Sequence, residues 1–576
     1  MKMLSRLISG LFLVTAATAG HAATPPDAGS LTSELKASDI PAAKKSLPAL
    51  DVQQEARPAM KGPEGLKVKV DKFRITGATA YSDAVLQPLV ASYLGRELSL
   101  AEMEQAAAAI SRHYRQNGYF VARAYVPAQD IQTGVLEIAV LEGKVGAIGA
   151  KIDSASGKLS EDRAKYLVSG AIQPGDVIHD KSLERGLLLL NDLPGVEVRS
   201  TLTPGATTGT SDLGLEVKEG RLFSGSVDLD NFGNKYTGTY RLGGTLNANN
   251  LAGLGDLLNV RAMLSDGDML YGRISYVLPV GNKGAKVGAA YSNMNYELGK
   301  DFTSLNADGD ANVYSLFGSY PIIRSRNSNL YVTAGYDAKD LVNNANNTVS
   351  SDNELRAFNL GVSGDMRDGT WGGGVNNYGL TWTAGDLDRN TITDAVLDAA
   401  SAKSAGTYNK VNYNFARLQR VSDTFNLYAS LQGQLTSKNL DASEKMTMGG
   451  PNGVRAYPQG EAASDEGHLL SLEGRWDLPV RSDWGDLQLQ AFLDTAFVRL
   501  HKSEWAGWQG TNPNAKNAYA LAGAGLGLTL SKPSSYAVRA SYAFKISDNP
   551  GRDASGKDSD NTDDDGRFWF QAVKWF

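Results

Sequence analysis

The side chains able to do chemistry are few and scattered. The five histidines, His21, His113, His179, His468 and His501, show no metal-ligand spacing between any two. The chain has no cysteine, which removes disulfides, cysteine-based zinc sites and thiol nucleophiles together. No nucleophile elbow, phosphate loop or zincin motif occurs. The acidic run Asp558, Asp560, Asp563, Asp564 and Asp565 reads as a solvated extracellular loop rather than a calcium site. Catalysis is not expected, nor is a metal or a cofactor. Two groups remain. One is the Gly- and Pro-rich stretch 449–461, which carries Val454, Arg455 and Tyr457. The other is Phe492 and Asp494, in a segment where apolar positions alternate with mostly polar ones.

That alternation governs the last 356 residues, 221–576. Leu487, Leu489, Ala491 and Leu493 alternate with Gln488, Gln490, Phe492 and Asp494, which puts Phe492 and Asp494 on the wet face. Leu427, Ala429, Leu431 and Leu435 alternate with Ser430, Gln432, Gln434 and Thr436 in the same way. Helical periodicity is absent from this region. Sixteen such segments begin near Arg221, Thr237, Leu257, Met269, Ala285, Ala311, Asn329, Glu354, Val375, Thr407, Phe425, His468, Asp486, Ala518, Tyr536 and Gly566. Short connections (281–284, 324–328, 533–535) contrast with long ones (439–467, 502–517, 548–565). An even number of alternating strands with short turns on one side and long loops on the other is the pattern of a transmembrane β-barrel. A mean hydropathy of -0.28 fits this reading, because each strand has only one apolar face. Beyond the N-terminus no apolar run approaches the roughly 18 residues of a membrane helix.

The first 22 residues carry Lys2 and Arg6, then an apolar stretch, then small residues ending at Ala22, the layout of a secretory signal peptide. Residues 23–65 read as one short helix at 27–37, with Leu31 and Leu35 on one face, and a flexible, mostly extended linker broken by Pro41, Pro48, Pro58 and Pro63. Two copies of a βααββ module follow, at 66–143 and 144–220. Each ends on an acidic–glycine step, Glu142-Gly143 and Glu219-Gly220. In the first copy, Ser99 with Glu102 marks the start of the long helix. The net charge of -6, with Lys and Arg dispersed, gives no sign of a nucleic-acid partner.

The two modules resemble POTRA domains, which bind polypeptides in the periplasm, commonly by strand addition to a sheet edge. The stretch 449–461 closely resembles the Val-Arg-Gly-Tyr loop of two-partner secretion transporters, the TpsB family. Phe492, Leu493, Asp494, Thr495 and Ala496 occupy the place of that family's Phe-x-Asp-x-Gly wall motif. Residues 229–238 look like its first hairpin, and the order of helix, linker, two modules and sixteen strands matches throughout. The resemblance implies that the loop folds back into the barrel and that Arg455 faces Asp494, a directional, charge-assisted anchor. Ala456 and Ala496 stand where the family pattern has glycine. It further implies that 27–37 is a plug helix, that the barrel lies in the outer membrane with the modules in the periplasm, and that the chain is a monomeric pore. Its partner would be an unfolded TpsA-type exoprotein (adhesin, hemolysin or contact-dependent toxin) that it translocates to the cell surface. Periplasmic chaperones and the outer-membrane assembly machinery would serve its own insertion into the lipid bilayer. The alternative is a barrel assembly insertase. Phe576 on the last strand resembles an assembly signal. Lys574, on the same face as Phe568 and Phe570, departs from it and is expected to snorkel to the interface.

Overall fold

A computed structural model of the chain describes residues 25–35, 47–53, 67–131, 133–154, 157–510 and 512–576. The expected signal peptide and much of the 23–65 segment lie outside the described residues.

The first module contains β2 (Lys67–Val70), β3 (Lys72–Thr76), α2 (Asp83–Val90), β4 (Arg96–Ser99), α3 (Leu100–Gln116), β5 (Arg123–Tyr125) and β6 (Val135–Leu141). Its main sheet runs β3-β6-β5, and β2 pairs β4 separately. Helix α3 starts on a reciprocal cap, with Ser99 N donating to Glu102 (2.8 Å) and Glu102 N to Ser99 Oγ (3.4 Å). Met103, Ala106, Ala107, Ile110 and Tyr114 recur at helical spacing, and all are buried against the sheet.

The second module contains β7 (Lys144–Ser154), α4 (Glu161–Ser169), α5 (Asp180–Asn191), β8 (Val196–Pro204) and β9 (Thr210–Glu219). Its sheet runs β1-β8-β9-β7, where β1 (Ala49–Val52) comes from the segment read as linker. This corrects the linker reading at one point. Four residues pair in parallel with the exposed edge of β8, and Leu50 and Val52 pack onto the module core. Four residues of alternating character are too short to stand out from a coil by periodicity.

The two acidic–glycine steps have one structural meaning. Glu142 is buried and accepts hydrogen bonds from Thr79 N (2.6 Å), Ala80 N (2.7 Å) and Tyr114 Oη (2.7 Å), tying the end of β6 to the loop before α2. Glu219 accepts from Lys158 N and Leu159 N (3.2 Å each), the equivalent loop before α4. It also accepts from Asn250 Nδ2 (2.7 Å), on a barrel turn. The second module is further clamped to the barrel by Arg324, which forms a two-point ion pair with Asp192 (2.6 and 2.7 Å).

Sixteen antiparallel strands follow, from β10 (Phe223–Asp230) to β25 (Gly566–Trp575), each paired with its sequence neighbours. Pairing of β10 with β25 closes the barrel. On β20 (Phe425–Thr436), Leu427, Leu431 and Leu435 point out and are exposed, while Gln434 points in and is buried. Similar apolar outer faces on the other strands form a continuous band that only lipid accommodates. Among the described residues no helix is long and apolar enough to cross a membrane. Lys574 points out near the rim, and its Nζ donates to Ser535 Oγ on the adjacent short turn (2.9 Å).

Most strand starts fall within a few residues of the alternation. β11 starts at Arg241 rather than near Thr237, and β17 (Thr348–Asp368) starts before Glu354. Its 21 residues exceed the 9–11 that span a bilayer, so its polar first turn stands outside the membrane, where no lipid face imposes alternation. The expectation of no helix beyond Arg221 is also corrected. α6 (Ile392–Ala400) lies between β18 (Gly374–Arg389) and β19 (Gly406–Arg420), with Ile392, Val396 and Leu397 exposed at helical spacing.

Burial pushes the Glu142 carboxyl up, but the Ala80, Thr79 and Tyr114 hydrogen bonds outweigh it and hold it below its ordinary value. A depressed folded-state value means that its contribution is complete above the unfolded-state value and is lost as pH falls through the folded one. Glu142→Gln is therefore expected to destabilise the first module by about 1–3 kcal/mol at neutral pH. That difference persists at mildly acidic pH and is eroded only below the ordinary carboxylate range, as pH falls through the depressed folded value. Hydrogen exchange of residues 68–143 in the whole chain at two pH values is the check.

Candidate functional site: a loop locked inside the barrel

The connection between β20 and β21 (Glu466–Ser482) turns into the lumen instead of away from the membrane. It folds as a pinched hairpin. Met446 and Ser464 exchange main-chain hydrogen bonds (2.9 Å each), Met448 N and Gly449 N both donate to Glu461 O (3.1 and 3.0 Å), and Val454 N donates to Met448 O (2.7 Å). The tip requires glycine at 453, where a Cβ would lie 2.2 Å from Met448 O. Gly450 adopts φ +98, the left-handed region that favours glycine.

This turn aims Arg455 at the wall. Its Nε donates to Asp494 Oδ2 (2.7 Å) and its Nη2 to Asp494 Oδ1 (2.8 Å), on β22 (Gly485–Arg499). The Arg455 main-chain N reaches Oδ2 as well (3.2 Å). The third guanidinium nitrogen, Nη1, meets Glu473 Oε1 on β21 at 2.8 Å. The guanidinium carbon lies 3.5 Å from the Phe492 ring centroid, a cation–π contact. Trp569 Nε1 donates to Arg455 O (2.7 Å). Val454 and Tyr457 are buried beside Phe492, Ala496 and Leu521, and Tyr457 Oη donates to Ser547 O (2.8 Å). The structure thus brings Val454, Arg455, Tyr457, Phe492 and Asp494 into one cluster.

Glu473 lies outside both sequence motifs. Its signal was present, since it alternates with Leu470 and Leu472 on a strand whose apolar face points to lipid. Ala456 does not take positive φ; among these loop residues Ala462 does (φ 53). The Ala456 methyl occupies space that a side chain on Gly523 would need, 2.5 Å from the Cβ position there, so the wall compensates for the extra carbon.

Two further elements dock on the loop. Glu461 is buried and accepts from Asn549 Nδ2 (2.9 Å) and Ser559 N (2.8 Å), both in the last long loop. Burial and the nearby Asp558 push its carboxyl up. The solvated-loop reading of the acidic run is corrected accordingly. Asp558 and Asp560 are buried, with Lys545 (2.6 Å) and Arg567 (2.6 Å) as partners, and only Asp563, Asp564 and Asp565 are exposed. The second element is the N-terminal helix α1 (Ala28–Glu34), which lies in the lumen. Asp27 caps it by accepting from Ser30 N (2.7 Å), and Ala28 N donates to Asn343 Oδ1 on the wall (2.7 Å). Gly29 packs on the loop base, where a Cβ would sit 2.8 Å from Ser443 N. Burial pushes the Glu34 carboxyl up to about 7, against the opposing effects of Arg241, Asn234 and Gln459.

The fold and this site define a class, a sixteen-stranded outer-membrane pore with two soluble modules and its own lumen filling. Residues 209–530 match the haemolysin secretion/activation protein family ShlB/FhaC/HecB, and residues 68–143 match the ShlB-type POTRA domain. The chain belongs to the ShlB/FhaC/HecB family. It is 29% identical over 559 residues to the heme/hemopexin transporter protein HuxB of Haemophilus influenzae, covering 96% of this chain and 95% of the relative. It is 26% identical over 453 residues to the outer membrane transporter CdiB of Dickeya dadantii, covering 75% of this chain and 76% of that one. The solved structure of CdiB from Escherichia coli shares the fold, with a TM-score of 0.71 at 22% identity over 90% of this chain and 93% of that one.

The Arg455 side chain is 13% exposed and the Asp494 side chain not at all. Removing one partner of a buried pair typically costs about 3–5 kcal/mol. Arg455→Ala is therefore expected to loosen residues 446–464 while the barrel stays closed. Arg455→Lys will restore only part of the lock, because one ammonium cannot match three guanidinium contacts. Hydrogen exchange of the loop, compared with that of the barrel strands, is the measure.

Proposed function

We propose that this chain captures an unfolded partner exoprotein in the periplasm and passes it through its barrel to the cell surface. The observation that carries this is the nature of the lumen filling. A static porin needs no plug, whereas here a closed barrel is filled by a seven-residue helix and a folded-in loop, both on tethers of the same chain. Elements of that kind can be withdrawn without opening the wall. The lumen wall keeps its charge internally neutralised, through Arg261 with Asp228 (2.9 Å) and Arg241 with Asp230 (2.8 Å). A polar, neutralised wall offers an unfolded chain few places to stick.

Capture belongs to the two modules. A sheet edge that already takes four residues of extended chain, as β8 takes β1, has the geometry for strand addition by another segment. No nucleotide or cofactor enters this scheme, and folding of the exoprotein outside would give direction. We take the working unit as a monomer, delivered by periplasmic chaperones and the outer-membrane assembly machinery. The relative matched over most of the chain is named for heme/hemopexin transport, so an exoprotein handling heme or hemopexin is the first cargo to test.

Deleting the gene is expected to trap one exoprotein in the periplasm and leave the general population of outer-membrane barrels intact. Broad loss of barrels instead would replace this reading with that of an assembly insertase. Quantitative proteomics of periplasm, outer membrane and medium separates the two.

A further inference from the structure

The seat of α1 is an apolar patch of the lumen wall, separate from the one behind the folded-in loop. Leu31 is buried in an apolar pocket made by Met263, Met269, Met294, Tyr236 and Phe302. Three of the ten methionines of the chain meet there. Methionine is unbranched and polarizable, and it repacks around side chains of different shape. Methionine-rich surfaces suit binders that accept many sequences. Next to the pocket, Asn343 Oδ1 accepts the Ala28 main-chain N–H at 2.7 Å, and Tyr296 Oη holds the same oxygen at 2.7 Å. An acceptor aimed at a main-chain N–H reads no side chain. The pocket is roofed by the 298–307 connection, which carries Phe302 and lies on the long-loop side of the barrel. It is therefore on the exit half of the lumen.

An adaptable apolar pocket beside a main-chain acceptor requires nothing of its ligand but one hydrophobic side chain and a free N–H. Every unfolded polypeptide offers both repeatedly. Once α1 withdraws, the pocket faces water, and refilling it is favourable. We propose that it is a transit site for the exoprotein, which binds hydrophobic side chains of the passing chain, and that Leu31 and Ala28 of α1 are its resident stand-in. This rests on the secretion reading above.

The test places a photo-crosslinking phenylalanine analogue at 294, and in a second chain at the lumen-facing position 490, with an exoprotein stalled by a folded C-terminal domain. The 294 probe is expected to give several-fold more exoprotein adduct than the 490 probe. Adduct at 490 with none at 294 overturns the proposal, because the exoprotein then passes without using the pocket. No adduct at either position, with the exoprotein not retained in the periplasm on gene deletion, fails the secretion reading instead. A second arm uses Met263→Gln with Met294→Gln, which weakens the seat of α1. Raised pore conductance with secretion reduced several-fold supports a transit site. Raised conductance with unchanged or faster secretion makes the pocket a seat for α1 alone and overturns the proposal, as does no change in either.

Discussion

One guanidinium organises the interior of this pore. Arg455 holds Asp494 with two side-chain hydrogen bonds and Glu473 with a third contact, so a single side chain from the loop joins two neighbouring wall strands. The pair does not order the loop alone. Fixing each backbone residue costs on the order of 1–2 kcal/mol, and roughly thirty residues are ordered. The difference is met by main-chain hydrogen bonds across the pinched hairpin and by the apolar cluster of Met448, Val454, Tyr457, Phe492 and Leu521. What the ion pair adds is direction and register. It decides which face of the loop meets the wall, and so where Ser443 meets α1 and where Glu461 meets the last long loop.

Directional polar contacts also join the second module to the barrel. Glu219 closes its own module and also accepts from Asn250, whose Oδ1 in turn accepts from Gly255 N at 2.6 Å. On the other side Asp192 and Arg324 form a two-point ion pair, and Arg185 donates to Pro321 O at 2.8 Å. These polar contacts fix orientation, while Leu189 and Leu193 of the module pack against the barrel turns at Gly284 and Gly255. Strand β1 links this joint to the plug, since the same stretch of chain that ends α1 goes on to pair with β8.

The barrel was legible because lipid on one side and water on the other impose a two-residue period on every spanning segment. Leu427 to Thr436 and Leu487 to Asp494 show it, with aromatic rings on the wet face only at Tyr428 and Phe492, and the lumen placement of Phe492 and Asp494 follows from it directly. The module helices were legible from capping and helical spacing, as at Ser99 and Glu102. Beyond the membrane the period vanishes, which is why the outer part of β17 and helix α6 escaped notice. The contacts of the site were legible only in part. Arg455 and Asp494 are paired through a recognisable motif, whereas alternation marks Glu473 only as lumen-facing, and Trp569 and Gly523 carry no local mark. Their roles come from cross-strand register, which joins positions that are distant in sequence. The buried state of Asp558 and Asp560 was hidden for the same reason, since Lys545 and Arg567 reach them only in the folded loop.

The central claim is that the loop must leave the wall for the exoprotein to pass. Because the chain has no cysteine, a single engineered disulfide tests it cleanly. Val454 Cγ1 lies 3.4 Å from the Cβ position at Gly523, so Val454→Cys with Gly523→Cys, in a chain that also carries Ala456→Gly to clear the methyl lying 2.5 Å from that position, fixes the loop to the wall under oxidising conditions. Secretion by this variant is expected to stop when the disulfide forms and to resume on reduction, with barrel abundance unchanged. Undiminished secretion through the oxidised, fully cross-linked barrel would contradict the account.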